Sequence, residues 1–81
     1  MVSLRLIISS YLFVDIYYNT QTKRFDFSLI QETSRIFGYD NLKTWHYHPL
    51  RSPQEHIECA EPSLEQIVVE TSSIVAGLNC P

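Results

Sequence analysis

The chain has 81 residues, 44% of them hydrophobic and 19% charged, a composition typical of one globular domain and too short for a second core. Six basic and nine acidic residues give a formal net charge of -3, which argues against binding nucleic acid through a broad basic surface. The sequence contains neither an apolar run of transmembrane length nor a signal-peptide pattern at its start, so we expect a cytoplasmic protein.

Size and cysteine usage set two further expectations. A chain this short has a thin stability margin, so we expect an obligate partner or a dimer. Cys59 and Cys80 are too few for a disulfide scaffold, and neither belongs to a close CxxC pair that would suggest zinc.

Four segments predict β-strands joined by short polar turns. Residues 2–8 alternate with a period of two, which is typical of a half-buried strand, and residues 11–18 are rich in β-branched and aromatic side chains. Residues 24–30 alternate again, and residues 35–39 form a last short strand before the pattern ends. Because short sequential connections favour antiparallel neighbours, the four segments predict a meander.

The C-terminal part predicts one amphipathic helix. Ser63 is placed as N-cap, with Gln66 at the third helical position to complete a capping box, and Gly77 or Asn79 can end the helix. Apolar and small residues recur at three and four residue spacings, at Leu64, Ile67, Val68, Thr71, Ile74, Val75 and Leu78. The sequence therefore predicts a single α+β domain over residues 1–81, with the helix packed on one face of the sheet.

One helix leaves the second face of such a sheet only partly covered. Phe13 and Tyr17 alternate onto that face in the second predicted strand. Exposed aromatic side chains there would offer a surface for a protein partner.

Residues 40–62 lack periodicity and are predicted to form a long loop between the sheet and the helix. The segment contains all three histidines of the chain, His46, His48 and His56. In an extended stretch the two imidazoles of a His-x-His pair lie on the same side of the backbone. If His56 joins them, with Asp40 or Glu55 nearby, the set could hold a metal ion through three nitrogens.

A second interpretation of the loop is RNA cleavage without a metal. One histidine would act as general base, and a second histidine or Arg51 would steady the phosphate. Tyr39 or Tyr47 would help to transfer the proton, and Trp45 and Tyr47 could stack on an unpaired base. The third interpretation is structural, with these side chains packing the loop against the sheet.

Asp40 also has two readings. Asp40 and Asn41 follow the fourth predicted strand, where such residues readily form an Asx-type turn with their own backbone. Alternatively the Asp40 carboxylate orients one of the histidines. Arg51, placed between two prolines, is the cation most suggestive of function.

The chain resembles the TumE-like toxins of bacterial and archaeal toxin-antitoxin pairs, from about Tyr11 to the end of the helix. The resemblance depends on four motifs in this order: Phe37-Gly38-Tyr39-Asp40-Asn41, Trp45-His46-Tyr47-His48-Pro49, Pro53-Gln54-Glu55-His56 and Glu61-Pro62-Ser63-Leu64-Glu65-Gln66. It implies an antitoxin partner that carries a helix-turn-helix DNA-binding domain. It also implies growth arrest through RNA or translation.

Together these observations predict the toxin of a toxin-antitoxin pair, acting as a small ribonuclease or translation inhibitor without a metal or other cofactor. The candidate catalytic residues are Asp40, His46, His48 and His56, and the candidate substrate-binding residues are Tyr39, Trp45, Tyr47 and Arg51. The alternative is a non-catalytic interaction domain that binds a protein partner through its sheet face and loop.

Overall fold

The computed structural model describes residues 1–52 and 54–79, with side chains up to residue 78. Within these residues the chain forms one six-stranded antiparallel sheet and one α-helix, and the strands lie in the sheet in the same order as in the sequence. The strands are β1 (Val2–Ser9), β2 (Leu12–Tyr18), β3 (Phe25–Gln31), β4 (Ser34–Asp40), β5 (His46–His48) and β6 (Ile57–Glu58), and the helix is α1 (Leu64–Asn79).

The predicted α+β fold with an antiparallel meander and a C-terminal helix is confirmed, and the four predicted strands differ from β1–β4 by one residue at most ends. The segment predicted as a long loop is different, because β5 and β6 extend the sheet beyond β4. These two strands have three and two residues, too few for an alternating pattern to stand out in the sequence.

The hydrophobic core lies between the helix and the central strands. Its buried members come from β2, β3, β4 and α1, and they are Leu12, Val14, Phe27, Leu29, Phe37, Tyr39 and Ile67. Leu29 is fully buried at the centre of this set. Burying a side chain of this size stabilises the fold by about 1.5 to 3 kcal/mol relative to leaving it exposed.

The helix begins where the sequence predicts, with the Ser63 Oγ accepting a hydrogen bond from the Gln66 backbone N–H at 3.0 Å. Gln66 does not complete the capping box, because its side chain donates instead to the Tyr39 hydroxyl at 3.3 Å and to Glu70 at 3.1 Å. The apolar stripe is also narrower than predicted. Ile67 and Thr71 are buried, whereas Leu64 and Val68 are exposed.

The prediction that β1 is half-buried is wrong, since all eight of its residues are exposed. Leu4 and Leu6 pair with Ile16 and Val14 of β2 and so lie on the core side of the sheet. A helix about 10 to 12 Å wide covers only two or three strands spaced about 4.8 Å apart. The helix therefore shields the central strands and leaves the edge strand β1 uncovered.

Two further expectations concern membranes and cysteines. Among the described residues, no helix combines the length and the apolar character needed to cross a bilayer. Cys59 is a free, partly exposed thiol, and Cys80 lies outside the described residues. Burial, together with the nearby carboxylates of Glu70 and Glu58, raises the pKa of the Cys59 thiol.

Candidate functional site

Strand register brings Asp40 and the three histidines to the face of the sheet opposite the helix. Asp40 of β4 lies directly across from His46 of β5, and Gly38 lies across from His48. In the β5–β6 pair, His46 faces Glu58, so continuing that register by two residues sets His56 opposite His48. Successive strand residues point to opposite faces, and Tyr39 and Tyr47, which alternate with these residues, therefore face the helix.

The four side chains contact one another directly, and we refer to Asp40, His46, His48 and His56 as the His cluster. The Asp40 carboxylate bridges two rings, with Oδ1 3.0 Å from His46 Nε2 and Oδ2 2.9 Å from His48 Nε2. His56 Nδ1 lies 3.1 Å from the same His46 Nε2. Ring centroids are 4.5 to 5.2 Å apart across the three histidine pairs, so the imidazoles converge on one point.

Three members of the His cluster are buried and the fourth is exposed. Asp40, His46 and His48 are 5%, 8% and 3% exposed, whereas His56 is exposed to solvent. Buried polar groups of this kind require satisfied hydrogen bonds to be tolerated. Only His56 is placed to meet a molecule arriving from solution.

Asp40 is held as a carboxylate by its neighbours. Desolvation by burial raises its pKa, but hydrogen bonds from His48 and from the Leu42 backbone N–H, together with the adjacent His46, outweigh this effect and lower the pKa overall. The Leu42 bond, at 3.0 Å to Oδ1, is the contact of an Asx-type turn. Asp40 thus forms the turn and orients two histidines at the same time.

At Gly38 the backbones of β3 and β4 lie close together beside the His cluster. A Cβ atom at this position would lie 2.6 Å from the Phe27 carbonyl oxygen of the neighbouring strand. The carbonyl belongs to the strand backbone and cannot move away cheaply. A side chain at position 38 would therefore distort the strand that sits opposite His48.

The other predicted site residues do not join the His cluster. Tyr39 is a core residue whose hydroxyl donates to Glu70 at 2.7 Å. Burial, and then this hydrogen bond, raise the pKa of Tyr39. Trp45 and Tyr47 pack at the edge of the core, Trp45 against Phe25 with ring centroids 5.7 Å apart. Arg51 is exposed in the turn after β5, where its backbone N–H donates to the Ile36 carbonyl.

An acidic toxin needs a confined basic spot, and the sequence predicts one near Arg51 and Lys43. The basic groove next to the His cluster includes Lys43 but not Arg51. The groove has a volume of about 670 Å³ and is lined by Tyr17, Asn19, Thr22, Lys23, Arg24, Asp26, Asn41, Leu42 and Lys43. It contains three of the six basic residues of the chain. It reaches the His cluster through Asp26, which pairs with Asp40 across β3 and β4, and through Leu42, which donates to Asp40.

The sequence did not show that Lys23 and Arg24 lie beside Lys43, because these basic residues come from two separate turns. Lys23 follows β2 and Lys43 follows β4, and both adopt a left-handed backbone conformation, with φ of 62° and 70°. The Nη2 atom of Arg24 lies 3.6 Å from Asp26 Oδ2, whereas its Nε is buried and has no hydrogen-bond partner among the described residues.

The geometry of the His cluster suits two kinds of chemistry. A carboxylate that fixes imidazole rings beside an exposed histidine can position groups for proton transfer. One nitrogen from each of the three histidines also lies within 4.8 Å of the others, a spacing at which they could share a metal ion. In both proton transfer and metal binding, a molecule from solution would meet the cluster at the exposed His56.

No family model, curated protein or solved structure matches this chain. The resemblance to TumE-like toxins therefore remains a prediction from the sequence motifs.

Proposed function

We propose that the chain is the toxin of a toxin-antitoxin pair and that it cleaves RNA at the His cluster. The observation that carries the proposal is the convergence of three imidazoles around the buried Asp40 carboxylate, with His56 exposed. Cleavage of RNA by its own 2′-hydroxyl has two requirements. One group must remove the proton of the hydroxyl, and a positive charge must lie beside the phosphate. The His cluster supplies groups for both tasks within one site.

The basic groove supports the proposal, because it gives a protein with a net negative charge a local surface that can bind an anionic substrate. Lys23, Arg24 and Lys43 lie together, so a short single-stranded segment would meet a local positive surface despite the net charge of -3. The groove and the His cluster share one face of the sheet. An RNA segment bound in the groove would therefore lie beside Asp40.

Growth of cells that express the full chain tests the proposed function. Induced expression should arrest growth, and co-expression of the helix-turn-helix protein proposed as antitoxin should restore it. His56→Ala should abolish the arrest without unfolding the protein, since His56 is exposed. Gln54→Ala, an exposed neighbour in the same turn, should arrest growth as the parent does.

Two outcomes would reject this function. One is normal growth on expression of the parent chain at a level where the protein is detected and folded. The other is arrest by His56→Ala and by the His46→Ala, His48→Ala double variant that equals the arrest by the parent.

The second candidate function is a non-catalytic interaction domain, and the exposure of β1 favours it. Among the described residues, this strand pairs on one side only, with β2. Its apolar side chains are between 42% and 76% exposed, at Val2, Leu4, Leu6, Ile7 and Ile8. A free strand edge with apolar side chains is a surface to which a partner protein can add a strand. Phe13, which was expected to provide this surface, is half-buried beneath the Arg5 guanidinium, 4.1 Å from its ring centroid.

A further inference from the structure

The two ring nitrogens of His46 have different partners. One contacts a backbone carbonyl, and the other faces two groups that can each accept a hydrogen bond. The Nδ1 atom lies 3.1 Å from the Thr44 carbonyl oxygen, which can only accept, so Nδ1 carries a hydrogen. In a neutral ring Nε2 is then an acceptor. Yet Nε2 lies 3.0 Å from a carboxylate oxygen of Asp40 and 3.1 Å from Nδ1 of His56.

A single positively charged centre between these atoms accounts for both contacts of His46 Nε2. A hydrogen on His46 Nε2 points in one direction, so it can make a well-aligned hydrogen bond to Asp40 or to His56, but not to both. A metal ion is bonded to several atoms at once. In tetrahedral zinc sites with Zn–N bonds of about 2.0 to 2.1 Å, neighbouring ligand atoms are about 3.3 Å apart, close to the 3.0 and 3.1 Å separations around His46 Nε2.

We propose that His46, His48 and His56 bind one Zn²⁺ ion, with Asp40 completing or orienting the ligand set. His46 would bind through Nε2 and His56 through Nδ1, the nitrogens that already face each other. The third nitrogen comes from His48, within 4.8 Å of the other two. This proposal departs from the expectation of a site without a cofactor.

The ligand types decide which metal the site would select. Imidazole nitrogens suit zinc and other first-row transition metals, whereas Mg²⁺ and Ca²⁺ prefer sites made of oxygen atoms. A carboxylate that hydrogen-bonds a ligating histidine is a common outer partner of zinc, because it fixes the ring and raises its basicity. Asp40 is buried in contact with both His46 and His48 and is placed to do this.

The open side of the His cluster gives the metal a position for a further ligand. His56 is exposed, so a Zn²⁺ ion bound to it would be reached by water or by a phosphate oxygen from solution. A bound zinc would supply positive charge beside that phosphate. Metal binding does not depend on the proposed toxin function, because it is measured on the purified protein.

Zinc binding by the full chain, purified without a His tag and treated with a chelator, tests the proposal. Titration of Zn²⁺ against a competing chromophoric chelator should give one equivalent per chain. His56→Ala should weaken binding by at least about 100-fold, more than the loss of an outer partner usually causes. Asp40→Asn should weaken binding by about 10 to 100-fold. Both variants are first shown to be folded by circular dichroism.

Two matched variants separate the His cluster from other sites on the chain. Gln54→Ala and Cys59→Ser should bind zinc as the parent does, because Gln54 is exposed and Cys59 packs against the hydrophobic core. The proposal is overturned if the parent binds less than a tenth of an equivalent, if His56→Ala binds as tightly as the parent, or if Cys59→Ser abolishes binding. Growth arrest without zinc binding would reject this inference and leave the proposed function standing, and the reverse result would do the opposite.

Discussion

At the scale of single residues, the chemistry of this protein depends on which side of a strand each side chain occupies. Asp40, His46 and His48 point away from the helix, and Tyr39 and Tyr47, one position along, point toward it. The convergence of the two histidines was predictable, because a His-x-His pair in an extended segment shares one side. The placement of the tyrosines was not, because it required the register of β4 and β5.

Asp40→Asn is the residue change that best reports on this arrangement. The amide removes the charged acceptor that His48 and the Leu42 backbone N–H share, so the metal-free variant should lose about 2 to 3 kcal/mol of unfolding free energy near neutral pH. Urea unfolding in the presence of a chelator measures the difference. A loss below about 0.5 kcal/mol, the usual range of a neutral surface change, would contradict the geometry.

The same comparison has a defined pH dependence. The pKa of Asp40 is lowered in the folded protein from its ordinary value of 3.8. A lowered pKa stabilises the fold above the ordinary value, and this contribution is lost as the pH falls through the folded value. The gap between the parent and Asp40→Asn should therefore shrink as the pH falls below 3.8. A stability difference that grows as the pH falls would show that the pKa of Asp40 is not lowered in the folded protein.

At the scale of elements, long strands and the helix were predictable and short strands were not. The alternation in β1 to β4 and the Ser63 cap gave their bounds closely. β5 and β6 gain their strand structure from pairing with β4 and with each other, a tertiary effect that no local pattern contains. The exposure of β1 is also a tertiary effect, because it depends on which strands the helix covers, and no local pattern contains it.

Substitutions on β1 test whether this strand binds a partner. The Leu4→Ser, Leu6→Ser double variant should weaken binding of the helix-turn-helix protein by at least about tenfold, because it removes apolar surface that a partner would cover. Both side chains are 49% exposed, so each change should cost less than about 1 kcal/mol of stability. Isothermal titration calorimetry measures the affinity.

Phe13→Ser is the matched control, since it removes an apolar side chain from the opposite face of the same sheet. It should leave the affinity unchanged. If the β1 variant binds the helix-turn-helix protein as the parent does, β1 is not the partner surface.

At the scale of the whole molecule, the two faces of the sheet have separate roles. The face toward the helix holds the apolar core and, through Tyr39, its hydrogen bonds to the helix. The opposite face holds the His cluster and the basic groove. Composition could predict that any basic surface would be small, but not that residues from two turns would meet beside Asp40.

RNA cleavage by the purified chain tests most directly whether the His cluster is a reactive site. Incubation of the folded protein with unstructured RNA, in a metal-free and in a zinc-loaded sample, should release fragments in at least one of the two, and Gln54→Ala should do so at the same rate as the parent. His56→Ala should be slower by about 100-fold or more, the usual effect of removing a group that transfers protons or holds the charge in the transition state. Cleavage by His56→Ala at the rate of the parent, or no cleavage by the folded parent in either sample, would contradict the account.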